Sequence, residues 1–165
     1  MLNTNFFLVD MLKYVDYDVV FQEIPDEVTL AINLSNCPNH CVGCHSPQLM
    51  RNIGKDLTEV ELLGLLGVYG KNITCVCFMG GDADPMAVAD MAALVHAFGD
   101  HGLKVGWYSG RNCLPKDMPL ERFDYIKLGP YVPSKGCLKE RTTNQRLYKI
   151  GKDLSKEDIT YRFWK

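Results

Sequence analysis

Cys37, Cys41 and Cys44 fall close together in the stretch NLSNCPNHCVGCHSP, which runs from Asn33 to Pro47. Thiolates are the nucleophilic, metal-binding form of cysteine, and three of them spaced C-x3-C-x2-C form a metal-ligand pattern. Most thiolate sites use four ligands, and no fourth cysteine stands nearby. Two chemistries remain open. A zinc ion with His40 or His45 as fourth ligand gives a closed Cys3His tetrahedron. A [4Fe–4S] cluster held by three thiolates leaves one iron with a position for substrate, as catalytic metals do.

The chain around these thiols is ordinary in composition. It has 165 residues, 47% of them hydrophobic and 23% charged, with a net charge of −2. One domain over 1–165 is expected, with the metal loop at 35–47 and a polar tail over about 132–165. No block of Lys and Arg offers the electrostatic footprint of a nucleic-acid binder. Apolar runs are too short for a membrane span, and the N-terminal MLNTNFFLVD carries no basic residue ahead of its apolar run. Cytoplasmic location is expected, where seven cysteines stay reduced and favour metal binding over disulfides.

The elements that must position the loop follow from pattern. Val28 to Leu34 (VTLAINL) reads as a buried strand, so the cysteines leave its C-terminal end. Lys13 to Phe21 reads as a strand or extended lead-in. Thr58-Glu59-Val60-Glu61 is a capping box that starts a helix ending near Gly70. Ile73 to Met79 is a second buried strand, followed by the turn Gly80-Gly81-Asp82. Asp84 and Pro85 open a helix to about Phe98, and Lys104 to Tyr108 and Tyr125 to Leu128 are further strands. Alternating strands and helices predict an α/β fold with a mostly parallel sheet. A closed barrel takes about 250 residues, so an open partial (β/α) barrel is expected, its concave side needing cover from another molecule.

The cysteine loop and the Gly80-Gly81-Asp82 turn would then share one rim of the sheet, where α/β folds bind ligands. With these motifs the chain resembles the radical S-adenosylmethionine superfamily, whose hallmark is C-x3-C-x2-C after the first barrel strand and a Gly-Gly-acid turn after the second. More narrowly, it is similar to the activating proteins of anaerobic (class III) ribonucleoside-triphosphate reductase. Four features carry that narrower likeness: the short chain, Gly43 before the third cysteine, the Asp form of the turn, and Arg141-Thr142-Thr143-Asn144-Gln145-Arg146. The likeness runs from about Tyr14 to Ile150.

The resemblance implies a [4Fe–4S] cluster on Cys37, Cys41 and Cys44 and S-adenosyl-L-methionine as cofactor. It implies Gly80, Gly81 and Asp82 around the methionine amino group, and Gly43 and His45 beside the cluster. It further implies reductive cleavage to a 5′-deoxyadenosyl radical and formation of a glycyl radical on the reductase, with electrons from a donor such as flavodoxin or ferredoxin. An activator of another glycyl-radical enzyme, of the pyruvate formate-lyase type, is the alternative within the superfamily; a zinc-stabilised binding module is the alternative outside it. The chain departs from the family pattern in three places. Gly43 replaces the aromatic residue that relatives place there, Asp82 is followed by Ala83 before Asp84-Pro85, and Leu128-Gly129-Pro130-Tyr131 stands where Asp-Gly-Lys-Phe is expected.

Other residues carry a functional and a structural reading side by side. Ser109, at the end of the third buried strand, could bond the cofactor or cap the strand. His40, His96 and His101 read as loop or helix histidines. Cys75 and Cys77 share a face of their strand as small hydrophobes. Cys113 and Cys137 read as loop thiols, and the Arg141–Arg146 stretch as either a pocket closure or a solvated hairpin.

Overall fold

The computed structural model describes residues 11–100 and 102–164; the N-terminal apolar run and His101 lie outside them. Eight strands form one open sheet. They are β1 (Lys13–Val20), β2 (Thr29–Leu34), β3 (Lys55–Asp56), β4 (Cys75–Met79), β5 (Lys104–Tyr108), β6 (Tyr125–Leu128), β7 (Arg146–Ile150) and β8 (Lys156–Asp158). Their order across the sheet is β3-β1-β2-β4-β5-β6-β7-β8. Two α-helices, α1 (Glu59–Tyr69) and α2 (Pro85–Ala97), connect β3 to β4 and β4 to β5.

The expected mostly parallel partial barrel is not what forms. Pairings β2·β4, β4·β5 and β5·β6 are parallel, but β1·β2, β1·β3, β6·β7 and β7·β8 are antiparallel, so antiparallel pairs are the majority. The physical reason is the supply of crossovers. Parallel neighbours need a long return connection, usually a helix, and only α1 and α2 are available as α-helical returns among the described residues. The β5–β6 return is a loop with one short 3-10 turn at Leu120–Arg122. Beyond β6 the chain doubles back, and the polar tail supplies β7 and β8.

Local chemistry sets the element ends. The Thr58 hydroxyl accepts from the Glu61 amide at 3.1 Å, which closes the first turn of α1. The Asp84 carboxylate accepts from the Ala87 amide at 3.0 Å, with Pro85 in the first turn of α2.

The two faces of the sheet are covered differently. Leu30, Ile32, Leu34, Val76, Phe78, Val105, Trp107 and Ile126 pack with Leu62, Leu66, Val88 and Val95 of the helices in the main core. On the other face, Cys75, Cys77, Tyr125 and Leu147 pack with Ile24, Leu138 and Ile159 from loops and the C-terminal segment. No α-helix covers that second face among the described residues, where a 3-10 turn at Thr160–Phe163 sets Phe163 against the cluster, and this is where the chain leaves room for a cavity.

Candidate functional site

The cysteine loop leaves β2 and is wound tightly before it returns. Asn36, His40 and Gly43 have φ of 60°, 46° and 72°, left-handed conformations that turn the backbone sharply. The loop is pinned to the segment after it by Asn36 N–H to Arg51 O at 3.0 Å and Cys37 N–H to Leu49 O at 2.9 Å. All three thiols are free and half-buried. Cys37 Sγ accepts from Asn39 Nδ2 at 3.6 Å and Cys44 Sγ from the Ser46 amide at 3.5 Å.

A cavity of about 370 Å³ opens beside this loop, within the size range of small-molecule sites. Cys37, Cys41, Cys44, His45, Gly80 and Asp82 all line it. Strand register supplies its floor. Met79, Tyr108 and Lys127 are successive register partners across β4, β5 and β6, so their side chains point to the same face, and all three line the cavity.

Gly80 and Gly81 have φ of 105° and 86°, which side-chain-bearing residues rarely adopt. They differ in what they face. Gly80 borders the cavity, while a Cβ on Gly81 would meet Val88 Cγ2 at 2.4 Å, so its backbone lies against α2. Asp82 is 1% exposed. Its Oδ1 accepts from Ser109 Oγ at 2.6 Å, and its Oδ2 from Asn39 Nδ2 at 2.5 Å and the Gly110 amide at 2.8 Å. Arg111 Nε stands 3.6 Å from Oδ1, and Arg111 Nη2 donates to the Asp82 carbonyl at 2.8 Å. The carboxylate is thus committed to the protein. It ties Asn39 of the cysteine loop to the end of β5.

Three residues named from sequence lie off the cavity wall. Gly81 packs on α2, and Ser109 is fully buried behind Asp82. Gly43 faces Tyr131 and Pro133, and a Cβ there would stand 3.3 Å from Pro133 Cγ. Tyr131 also contacts the His45 ring, with centroids 4.9 Å apart, so the last residue of Leu-Gly-Pro-Tyr puts an aromatic side chain on the cavity. His40 is exposed and absent from the cavity lining, and His96 is at the far helix, 3.2 Å from the Arg122 carbonyl.

Sequence reasoning missed several members of the site. Asn39, which no motif singles out, touches both Cys37 and Asp82. Glu23, Tyr108 and Cys137 also line the cavity. Lys127 lines it too, because alternation along β6 puts it on the face opposite Ile126 and Leu128. Burial pushes the Glu23 carboxyl up, with Lys139 acting the other way. The Arg141–Arg146 stretch divides: Gln145 is buried at the cavity, Asn144 Nδ2 donates to the Pro130 carbonyl at 2.9 Å, and Arg146 begins β7.

Among the described residues, no three His, Cys, Asp or Glu side chains are gathered for a single metal ion, and no helix is long and apolar enough to cross a membrane. Comparison with protein families, curated proteins and solved structures finds no match.

Proposed function

We propose that this chain is an iron–sulfur enzyme of the radical S-adenosylmethionine type that generates the glycyl radical of anaerobic ribonucleoside-triphosphate reductase. The observation that carries it is the meeting of Cys37, Cys41 and Cys44 on one cavity with the Gly80–Asp82 turn. The donor set fits a [4Fe–4S] cluster: three free thiols on one loop, two of them already accepting N–H donors of the kind that stabilise cluster sulfurs. When bound, such a cluster supplies the electron that splits S-adenosyl-L-methionine into methionine and a 5′-deoxyadenosyl radical.

The chain's own part is positioning. Asp82 and Asn39 hold the cysteine loop against the strand ends, so the three sulfurs keep a fixed relation to the cavity floor. Gly80 brings bare main chain to the cavity, where a ligand's polar groups can approach closely. His45 and Tyr131 present aromatic faces at the cavity wall, suited to a flat base such as adenine. Electrons come from a flavodoxin or ferredoxin, and the partner is the glycyl-radical subunit of the reductase.

The test is anaerobic. Protein reconstituted with iron and sulfide is mixed with S-adenosyl-L-methionine, a low-potential reductant and the reductase. 5′-Deoxyadenosine and the glycyl-radical EPR doublet are both expected. A doublet on a pyruvate formate-lyase type partner alone would reassign the partner. One tightly held zinc ion with neither product would overturn the proposal.

A further inference from the structure

Lys127 is 8% exposed and sits in a strand interior, yet no carboxylate pairs with it among the described residues. Its Nζ donates to the main-chain carbonyls of Gly129 at 2.7 Å and Ser109 at 3.3 Å, and stands 6.0 Å from the Tyr108 ring centroid. Asp82, the buried acid on the same cavity, is already taken by Asn39, Ser109, Gly110 and Arg111. A buried ammonium held by carbonyl dipoles and an aromatic face, with no paired carboxylate, is costly, and an arriving negative charge would offset that cost. Of the other charged side chains on the cavity, Lys139 is exposed and donates to Gln22 at 2.8 Å, and Glu23 is only half-buried.

The arriving charge is identified by what shares the wall. Three thiolates bring three negative charges, and a cluster so ligated is anionic before reduction and more so after it. A fixed cation on the same cavity favours the reduced form over the oxidised one, and net charge and burial are among the levers that set cluster potentials. We propose that Lys127 is the built-in counter-charge of the iron–sulfur cluster, raising its one-electron reduction potential. This rests on the iron–sulfur function proposed above. Burial pushes the Lys127 ammonium down to about 8, while Asp82 and the three cysteines act against it, and Lys127 lines the same cavity as those cysteines.

The experiment is an EPR-monitored redox titration of the reconstituted full-length protein, with dithionite supplying the single electron through mediators. Lys127→Met and Lys127→Gln remove the charge; Lys127→Arg keeps it. At the potential where wild type is half reduced, the neutral variants should show at least a tenfold lower reduced-to-oxidised ratio. That corresponds to a shift of about 59 mV to more negative potential for one electron. Lys127→Arg should stay within about threefold, again read on the one-electron scale. Loss of the cluster from both neutral variants with retention in Lys127→Arg would also support the counter-charge. Wild-type midpoints in neutral variants that hold normal iron and sulfide would overturn it while leaving the proposed function standing. Cluster loss from all three variants would overturn it too, since the lysine would then be a packing element. Wild type without any iron–sulfur cluster would remove both proposals.

Discussion

The two ends of the parallel strands each bury a carboxylate near a lysine, exposed Lys104 at one end and buried Lys127 at the other, and they use them in opposite ways. At the N-terminal end, Glu27 accepts from Lys104, from Thr74 Oγ1 at 2.6 Å and from Tyr125 Oη at 2.7 Å. Acid and base neutralise each other there, and the network ties the β1–β2 connection to β5 and β6. At the C-terminal end the acid and the base are kept apart. Asp82 is consumed in holding Asn39, Ser109 and Arg111, and Lys127 faces the cavity with main-chain carbonyls and the Tyr108 ring but no paired carboxylate. A closed pair serves stability; a separated pair leaves one charge free for a ligand. The thiols divide in the same way. Burial pushes Cys75 and Cys77 well up and keeps them as inert hydrophobes, whereas Cys37, Cys41 and Cys44 are half-buried on the cavity wall.

The largest expected effect falls on the thiols. Cys37→Ala, Cys41→Ala or Cys44→Ala should each abolish cluster uptake and 5′-deoxyadenosine formation, while Cys75→Ala should leave both in place. Iron, sulfide and nucleoside assays read this, and normal turnover in any of the first three would break the contrast between the ends. Next comes Asp82→Ala. It removes the acceptor of the Ser109 hydroxyl and the Gly110 amide and should cost about 1–3 kcal/mol for each buried donor left unsatisfied. Urea unfolding of the apoprotein checks that value; a loss near zero would mean that Asp82 is free to serve a ligand instead.

A smaller effect belongs to Glu27→Gln, about 1.5–3 kcal/mol for a weakened charged hydrogen-bond set. It also carries a pH signature. Burial alone would push the Glu27 carboxyl up, but the hydrogen bonds from Lys104, Thr74 and Tyr125 outweigh it and leave it below the ordinary value. A folded pKa below the unfolded one adds stability that is fully present above the unfolded pKa, near 4.3, and lost as pH falls through the folded value. Urea midpoints measured from pH 6 down to about 3 should therefore fall less steeply in Glu27→Gln than in wild type. Identical slopes would deny that this end is an electrostatically closed pair.

Much of the central sheet was legible because its signals are local. Lys104–Tyr108 and Tyr125–Leu128 are short apolar strands whose bounds the structure reproduces, and Thr58 and Asp84 cap the helices as their side chains dictate. The overall topology was not legible, because direction of pairing is a long-range property. RLYKI in β7 is half polar, and nothing within it says that it returns antiparallel to β6. The cysteine spacing and the Gly-Gly-Asp turn were visible at once. What they surround was not: Asn39 and Lys127 enter the site through register and loop winding, which no single motif records.

The most direct measurement is the EPR spectrum of the reduced, reconstituted protein before and after S-adenosyl-L-methionine is added. A cluster held by three cysteines has an iron open to the added molecule, so the spectrum should change on addition, and the change should disappear in Cys41→Ala. A spectrum indifferent to the addition, or a protein that takes up only a single zinc ion, would contradict the account.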